Sequence, residues 1–183
     1  MNRPVILVPG FQGSGPGHWQ SLWGASVKGA LRVEMPNWEF PRRPEWVEAL
    51  DEVIGAAWQE TKTPAVLVGH SLGCLAIAHW AADSFFAARW PVKAALLVVP
   101  ADVEREESPG VFHSFAPIPR GRLPFPSRVV ASTDDAFLSL ERAQGFAASW
   151  GSQFTDVGKC GHLNTASGFG EWPRGEALLQ DLM

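Results

Sequence analysis

One nine-residue segment constrains the fold of this chain more than any other. Residues 65–73 read AVLVGHSLG, so a continuous apolar run leads directly into Gly-x-Ser-x-Gly. The run is typical of a buried parallel strand, and the small apolar residues that follow predict a buried helix. A glycine-flanked serine between the two predicts a nucleophile elbow, a tight turn that lifts the Ser71 hydroxyl above the strand end. The alternative is a serine that only caps the helix.

Short β-type runs alternate with helix-length stretches along the rest of the chain. The sequence predicts strands at residues 5–8, 31–35, 65–68, 92–99, 128–131 and 153–155. It predicts helices at about residues 18–29, 40–60, 71–82, 139–150 and 175–182. This alternation favours an α/β fold, a mainly parallel sheet with helices on both faces. Because 183 residues is the length of one domain, we expect a single domain over residues 1–183.

Charge and composition exclude several function classes. The chain has 15 Lys and Arg against 19 Asp and Glu, so it offers no basic surface for nucleic acid or anionic membrane. The longest apolar run, residues 94–99, is far shorter than the ~20 residues of a membrane-spanning helix. The first ten residues lack the apolar stretch and cleavage site of a signal peptide, so none is expected. Two cysteines are not expected to make a disulfide framework or a zinc site. We therefore expect a cytoplasmic protein that needs no metal or other cofactor.

A serine nucleophile needs a base to take its proton and an acid to orient that base. In strand–elbow–helix enzymes the acid and then the histidine follow the serine along the chain. His162 is the predicted base because its glycine-containing loop, residues 158–164, directly follows the last predicted strand. His113 lies in a proline-rich stretch with no strand end to position it, whereas His70 and His79 are interpreted as packing residues.

The acid is expected at the end of the strand before the last one. Asp134 and Asp135 both follow that strand, and spacing does not separate them, because neighbouring turn positions point in different directions. The other member of the pair would serve in turn formation. Asp102, just beyond the strand at 92–99, is a weaker third candidate.

An oxyanion hole requires two backbone N–H groups. Leu72 supplies one as the residue after the nucleophile, and the loop at residues 9–13 supplies the other from Phe11, with Gln12 as the alternative. The glycines of this loop match neither a dinucleotide-binding fingerprint nor a phosphate-binding P-loop.

Several side chains are candidates for lining a substrate pocket. These are Gln12, His18, Trp19, Trp38 and Trp172. The stretch from residue 100 to 127 carries six prolines and no helical period. It begins beyond a strand end, where parallel sheets bind ligands. A surface connection without a role is an equally good interpretation.

Four segments together resemble a known group of proteins. The segments VPGFQGS, GHSLGC, STDDAF and GHLN are similar to those of small α/β-hydrolase proteins of the YdeN and retinoblastoma-binding-protein-9 type. The resemblance covers nearly the whole chain and implies an α/β-hydrolase fold with a minimal cap domain or none. It implies Ser71 as nucleophile, His162 as base and Asp135 as acid, although Ala136 stands where the family has proline. Neither cysteine lies in a Leu-x-Cys-x-Glu sequence, so the retinoblastoma partner is not expected.

These residues predict a metal-independent serine hydrolase that cleaves a small ester or amide through an acyl-enzyme. The alternative is a catalytically weak hydrolase-fold protein that acts as a protein-interaction module. A dehalogenase is excluded because the nucleophile at its elbow would be an aspartate, and this chain has Ser71.

Overall fold

A six-stranded parallel sheet forms the centre of residues 3–183, the part of the chain that the computed structural model describes. Its strands are β1 (Val5–Val8), β2 (Ala30–Arg32), β3 (Ala65–His70), β4 (Val92–Val98), β5 (Ser127–Ala131) and β6 (Gln153–Asp156). They lie in the order β2-β1-β3-β4-β5-β6, and every neighbouring pair is parallel. The predicted α/β class is confirmed. The second strand is shorter than predicted, because after Arg32 only the Val33 N–H continues the pairing, to the Leu7 carbonyl.

Helices cover both faces of the sheet. They are α1 (Trp19–Ser26), α2 (Arg43–Thr61), α3 (Leu72–Ala82), α4 (Ser84–Ala87), α5 (Leu140–Trp150) and α6 (Pro173–Gln180). Successive strand residues point to opposite faces, so Ile6 belongs to the buried cluster that includes residues of α2, α3 and α5. Its neighbour Val5 belongs to the cluster that includes residues of α1 and α6. Burial on both sides explains why the strands read as unbroken apolar runs. None of the helices in residues 3–183 is both long and apolar enough to cross a bilayer.

The strand order places one pair of strand ends where a ligand can bind. From β1 the chain moves outward to β2 and then returns to form β3 on the other side of β1. Loops that leave the carboxyl ends of β1 and β3 therefore diverge at a switch point, the usual ligand-binding crevice of parallel sheets. The β1 loop (residues 9–13) and the Ser71 turn both emerge there.

Candidate active site

The turn after β3 has the strained backbone expected of a nucleophile elbow. Ser71 has φ 52° and ψ −120°, a conformation that L-residues rarely adopt. A Cβ atom on Gly69 would lie 2.9 Å from Cys74 Cα, and one on Gly73 would lie 2.1 Å from the Val8 carbonyl oxygen. The Ser71 N–H donates to the Val98 carbonyl at 3.0 Å. Close backbone approach on both sides thus explains the two glycines, which a simple helix cap does not require.

The β1 loop lies directly against this turn. A Cβ atom on Gly10 would lie 2.9 Å from Ser71 Cβ. The Gln12 N–H donates to the Trp38 carbonyl at 3.3 Å, whereas the Phe11 N–H has no acceptor within residues 3–183. The Leu72 N–H belongs to the first turn of α3, where helix geometry provides no acceptor. Phe11 and Leu72 therefore offer free N–H groups beside the Ser71 turn.

Asp135, rather than Asp134, lies against His162. Both oxygens of the Asp135 carboxylate lie within hydrogen-bond distance of His162 Nδ1, at 3.0 and 2.9 Å, and the Asp135 side chain is fully buried. The Phe137 N–H donates to the same carboxylate at 2.8 Å and fixes its orientation. With Nδ1 engaged as a donor, the other ring nitrogen, Nε2, is left to accept a proton.

Asp134 holds together the two loops that carry Asp135 and His162. Its carboxylate accepts from the Gly161 N–H at 2.7 Å and from the Ser132 hydroxyl at 2.8 Å. These hydrogen bonds, the Gly161 one first, lower the pKa of Asp134 below its ordinary value. Ser132 also accepts from the Cys160 N–H at 2.9 Å. Asp134 therefore fixes the position of the loop that carries the histidine.

The third candidate acid is engaged elsewhere. Arg142 donates to both oxygens of the Asp102 carboxylate at 2.7 Å. Such a bidentate pair is among the strongest side-chain interactions in proteins, and it directs the Asp102 carboxylate towards Arg142 rather than towards His162.

A cavity of about 230 Å³ joins the predicted site residues. It is lined by Phe11, Gln12, His18, Ser71, Leu72 and His162 among others. The proline-rich connection between β4 and β5 forms one wall through Val103, Pro109 and Phe112. This segment contains one short 3-10 helix, Gly110–Phe115, and is the minimal cap of the fold.

The tryptophans predicted to line the pocket are absent from the cavity wall. Trp19 and Trp172 are almost completely buried, and their rings pack edge to face with centroids 5.1 Å apart. Trp38 packs against Trp46 and is also absent from the cavity wall. A large indole buries more apolar area when packed against other core side chains than beside a water-filled cavity, so the pocket prediction for these three tryptophans is wrong.

Two further histidines form a buried array with His162. His70 Nε2 lies 3.0 Å from the His162 carbonyl oxygen and ties the elbow to the histidine loop. His18 Nδ1 accepts from the Gln20 N–H and caps α1, while its Nε2 is buried without a partner in residues 3–183. Burial, and to a smaller extent the Arg32 charge, lowers the pKa of His18 to about 4. Burial also holds the pKa of His70 well below its usual range, so both rings are neutral near pH 7.

Sequence reasoning did not single out several residues of the cavity wall, although one of them, Arg105, lies in the segment 100–127 that was a candidate for ligand binding. Phe137 packs edge to face on His162 at 4.7 Å, and Arg105 and Asn164 also line the cavity. Arg105 follows β4 in the chain, and Asn164 follows His162. Their position beyond strand ends could have indicated that they line the cavity. Within residues 3–183 no three His, Cys, Asp or Glu side chains are grouped as metal ligands.

Comparison with known proteins identifies the family. A family model described as serine hydrolase matches residues 5–181. The structure is similar to a YdeN-like hydrolase from Pectobacterium atrosepticum, with 30% identity and a TM-score of 0.82 over 99% of this chain and 90% of that one. It is also similar to the ydeN gene product of B. subtilis, with 22% identity and a TM-score of 0.73 over 99% and 98% of the two chains.

A more distant likeness shows the fold alone. Est1E from Butyrivibrio proteoclasticus, in a structure with bound ferulic acid, has 14% identity and a TM-score of 0.70 over 98% of this chain and 89% of that one. No curated protein is significantly similar to the chain in sequence. The fold is that of the α/β hydrolases.

Proposed function

Because the chain belongs to the serine hydrolase family and is an esterase-like hydrolase, we propose that it cleaves a small ester or amide through an acyl-enzyme on Ser71. The contact between Asp135 and His162 Nδ1 is the observation that carries this proposal. It supplies an oriented base in the same cavity as a serine on a strained turn.

The first half of the reaction forms the acyl-enzyme. His162 Nε2 takes the Ser71 proton as the hydroxyl oxygen attacks the substrate carbonyl carbon. The carbonyl oxygen gains a negative charge, which the N–H groups of Phe11 and Leu72 stabilise. The imidazolium, stabilised by Asp135, then gives its proton to the leaving alcohol or amine as the bond to the acyl carbon breaks.

The second half returns the enzyme to its starting state. His162 takes a proton from water, and the resulting hydroxide oxygen attacks the acyl carbon. The proton passes to the Ser71 oxygen as the acyl–serine bond breaks, and a carboxylic acid is released. Asp135 keeps the same ring orientation in both halves, because its carboxylate is fixed by the Phe137 N–H.

Labelling with a fluorophosphonate tests the proposal directly. The serine oxygen of an activated hydrolase displaces fluoride and leaves a covalent adduct that intact-mass spectrometry detects. We expect one adduct on the wild-type chain and none on Ser71→Ala. His162→Ala should label slower by a factor of about 10³ or more, because the hydroxyl loses its base.

A second serine in the structure serves as the matched control. Ser149 is a partly buried residue of α5 whose hydroxyl donates to the Gly145 carbonyl, and Ser149→Ala should label like the wild type. A folded wild-type chain without any adduct would contradict the proposal and favour the protein-interaction module instead.

A further inference from the structure

One cationic side chain lines the cavity. Of the lysines and arginines in residues 3–183, only Arg105 is part of the cavity wall. It lies in the connection between β4 and β5, the segment that forms the minimal cap. Its side chain is 26% exposed, so it lines the cavity without being closed off from solvent.

Arg105 is held in place by an aromatic ring rather than by hydrogen bonds. Its guanidinium carbon lies 5.4 Å from the centre of the Phe137 ring, and that ring packs on His162 at 4.7 Å. The nearest carboxylate, Glu107, is 3.8 Å away and 77% exposed, a separation too long for a hydrogen bond. Stacking fixes the plane of a guanidinium while its N–H groups remain free to bind.

No other charge in the cavity wall balances Arg105. Asp102 is the one carboxylate among the wall residues of the described chain, and Arg142 engages both of its oxygens. His18 and His70, also in the wall, are neutral near pH 7 because burial lowers their pKa values. A positive charge in a cleft of low dielectric concentrates anions there.

We propose that Arg105 binds a carboxylate of the substrate, so that the esters cleaved by this chain carry an ionised carboxylate about one aromatic ring away from the scissile bond. This inference rests on the proposed function for the site but names its substrate class. The planar guanidinium fits a carboxylate through two parallel N–H···O bonds. Phe137 sets the distance between that contact and His162.

Two pairs of matched esters test the proposal. In the first pair, 4-carboxyphenyl butyrate is compared with 4-carbamoylphenyl butyrate, so the carboxylate is on the leaving group. In the second, the mono-4-nitrophenyl ester of adipic acid is compared with that of adipamic acid, so it is on the acyl group. Carboxylate and carboxamide have the same shape but differ in charge and, in the first pair, in leaving-group acidity. The change in the kcat/KM ratio of each pair when Arg105 is substituted therefore reports the charge.

Arg105→Gln should lower kcat/KM for the carboxylate ester of at least one pair by roughly tenfold, as expected for a charged hydrogen bond. The carboxamide ester should change by less than about twofold, a difference that a merely structural role would not produce. Arg105→Lys keeps the positive charge but lacks the planar pair of N–H donors. Its kcat/KM for the carboxylate ester should therefore lie between those of the wild type and Arg105→Gln. Lys28→Gln, an exposed residue between α1 and β2 at the opposite end of the strands, should leave both ratios unchanged.

Binding without turnover separates this inference from the proposed function. Calorimetric titration of Ser71→Ala should give a lower Kd for the carboxylate ester than for the carboxamide ester of at least one pair. The double variant Ser71→Ala/Arg105→Gln should show no such difference. If the wild type hydrolyses none of the esters, this titration alone decides the role of Arg105. The inference is overturned if Arg105→Gln alters both members of each pair by the same factor, or if the titration shows no preference that depends on Arg105.

Discussion

The two halves of the candidate active site are held in place by different forces. The Ser71 turn is fixed by backbone packed so closely that added atoms would overlap with Val8 and Cys74. The loops with Asp135 and His162 are fixed by hydrogen bonds from side chains, chiefly those of Asp134 and Ser132. The turn should therefore tolerate no added methyl group, whereas the loops should tolerate substitutions that preserve the acceptors.

Gly73→Ala should have the largest effect among the substitutions predicted for this site. Its Cβ would lie 2.1 Å from the Val8 carbonyl oxygen, a contact that neither the strand nor the helix can relieve without moving apart. We expect a loss of at least about 4 kcal/mol in the free energy of unfolding, measured by urea denaturation. Gly145→Ala in α5 is the matched control, since no heavy atom lies within 4 Å of its added Cβ. That substitution should stabilise the protein by about 0.5–1 kcal/mol. Equal stability of the two variants would show that close backbone packing at Gly73 does not fix the Ser71 turn.

Asp135→Asn should nearly abolish activity while the protein stays folded. The amide oxygen can still accept from the Phe137 N–H, but the amide NH₂ favours the tautomer in which His162 Nδ1 is an acceptor. His162 Nε2 then carries the proton and cannot take one from Ser71. We expect kcat/KM to fall by ~10⁴, as for the equivalent change in serine proteases. Activity within tenfold of wild type would remove Asp135 from the proposed mechanism.

Asp134→Ala should act on the loops rather than on the chemistry. Loss of the acceptor for the Gly161 N–H and the Ser132 hydroxyl loosens the histidine loop, so kcat/KM should fall far less than in Asp135→Asn, by roughly tenfold. Asp134→Asn keeps an acceptor oxygen and should recover most of that loss. Steady-state kinetics of the two variants, with circular dichroism to verify folding, checks this. A loss in Asp134→Ala as large as in Asp135→Asn would contradict the assignment of the two aspartates.

The smallest predicted effect is a change in how stability depends on pH. The pKa of His18 is lowered to about 4 in the folded protein, whereas its ordinary value is 6.5. Between these values the unfolded chain binds a proton that the folded protein does not, so stability falls as pH decreases from 6.5 towards 4. At pH 5 this group should cost about 1–2 kcal/mol relative to pH 7. His70, whose pKa is lowered in the same direction, adds to the loss.

His18→Asn isolates the contribution of that ring. Asparagine is a good helix N-cap and retains an acceptor for the Gln20 N–H. The difference in unfolding free energy between pH 7 and pH 5, measured with urea, should therefore be smaller in the variant than in the wild type. The same difference in both proteins would show that His18 is not the group responsible.

The features that depend on local pattern could be predicted from the amino-acid sequence. Apolar runs bounded by turn residues predicted the strands, because a parallel strand buried on both faces must be apolar throughout. The Gly-x-Ser-x-Gly segment indicated the Ser71 turn, because only glycine permits backbone approach as close as that at Gly69 and Gly73. His162 followed from its position after the last strand.

Local pattern could not assign different roles to chemically equivalent residues, because those roles depend on the folded geometry. Asp134 and Asp135 are adjacent and chemically identical, and the direction of a turn sends one carboxylate to Gly161 and the other to His162. The same limit applies to Trp19 and Trp172, which lie in the core, and to Arg105, whose place in the cavity wall depends on the Phe137 ring. Sequence pattern encodes which backbone conformations and burial a segment can adopt. Which distant side chains meet depends on loop paths and packing between elements, which no local pattern records.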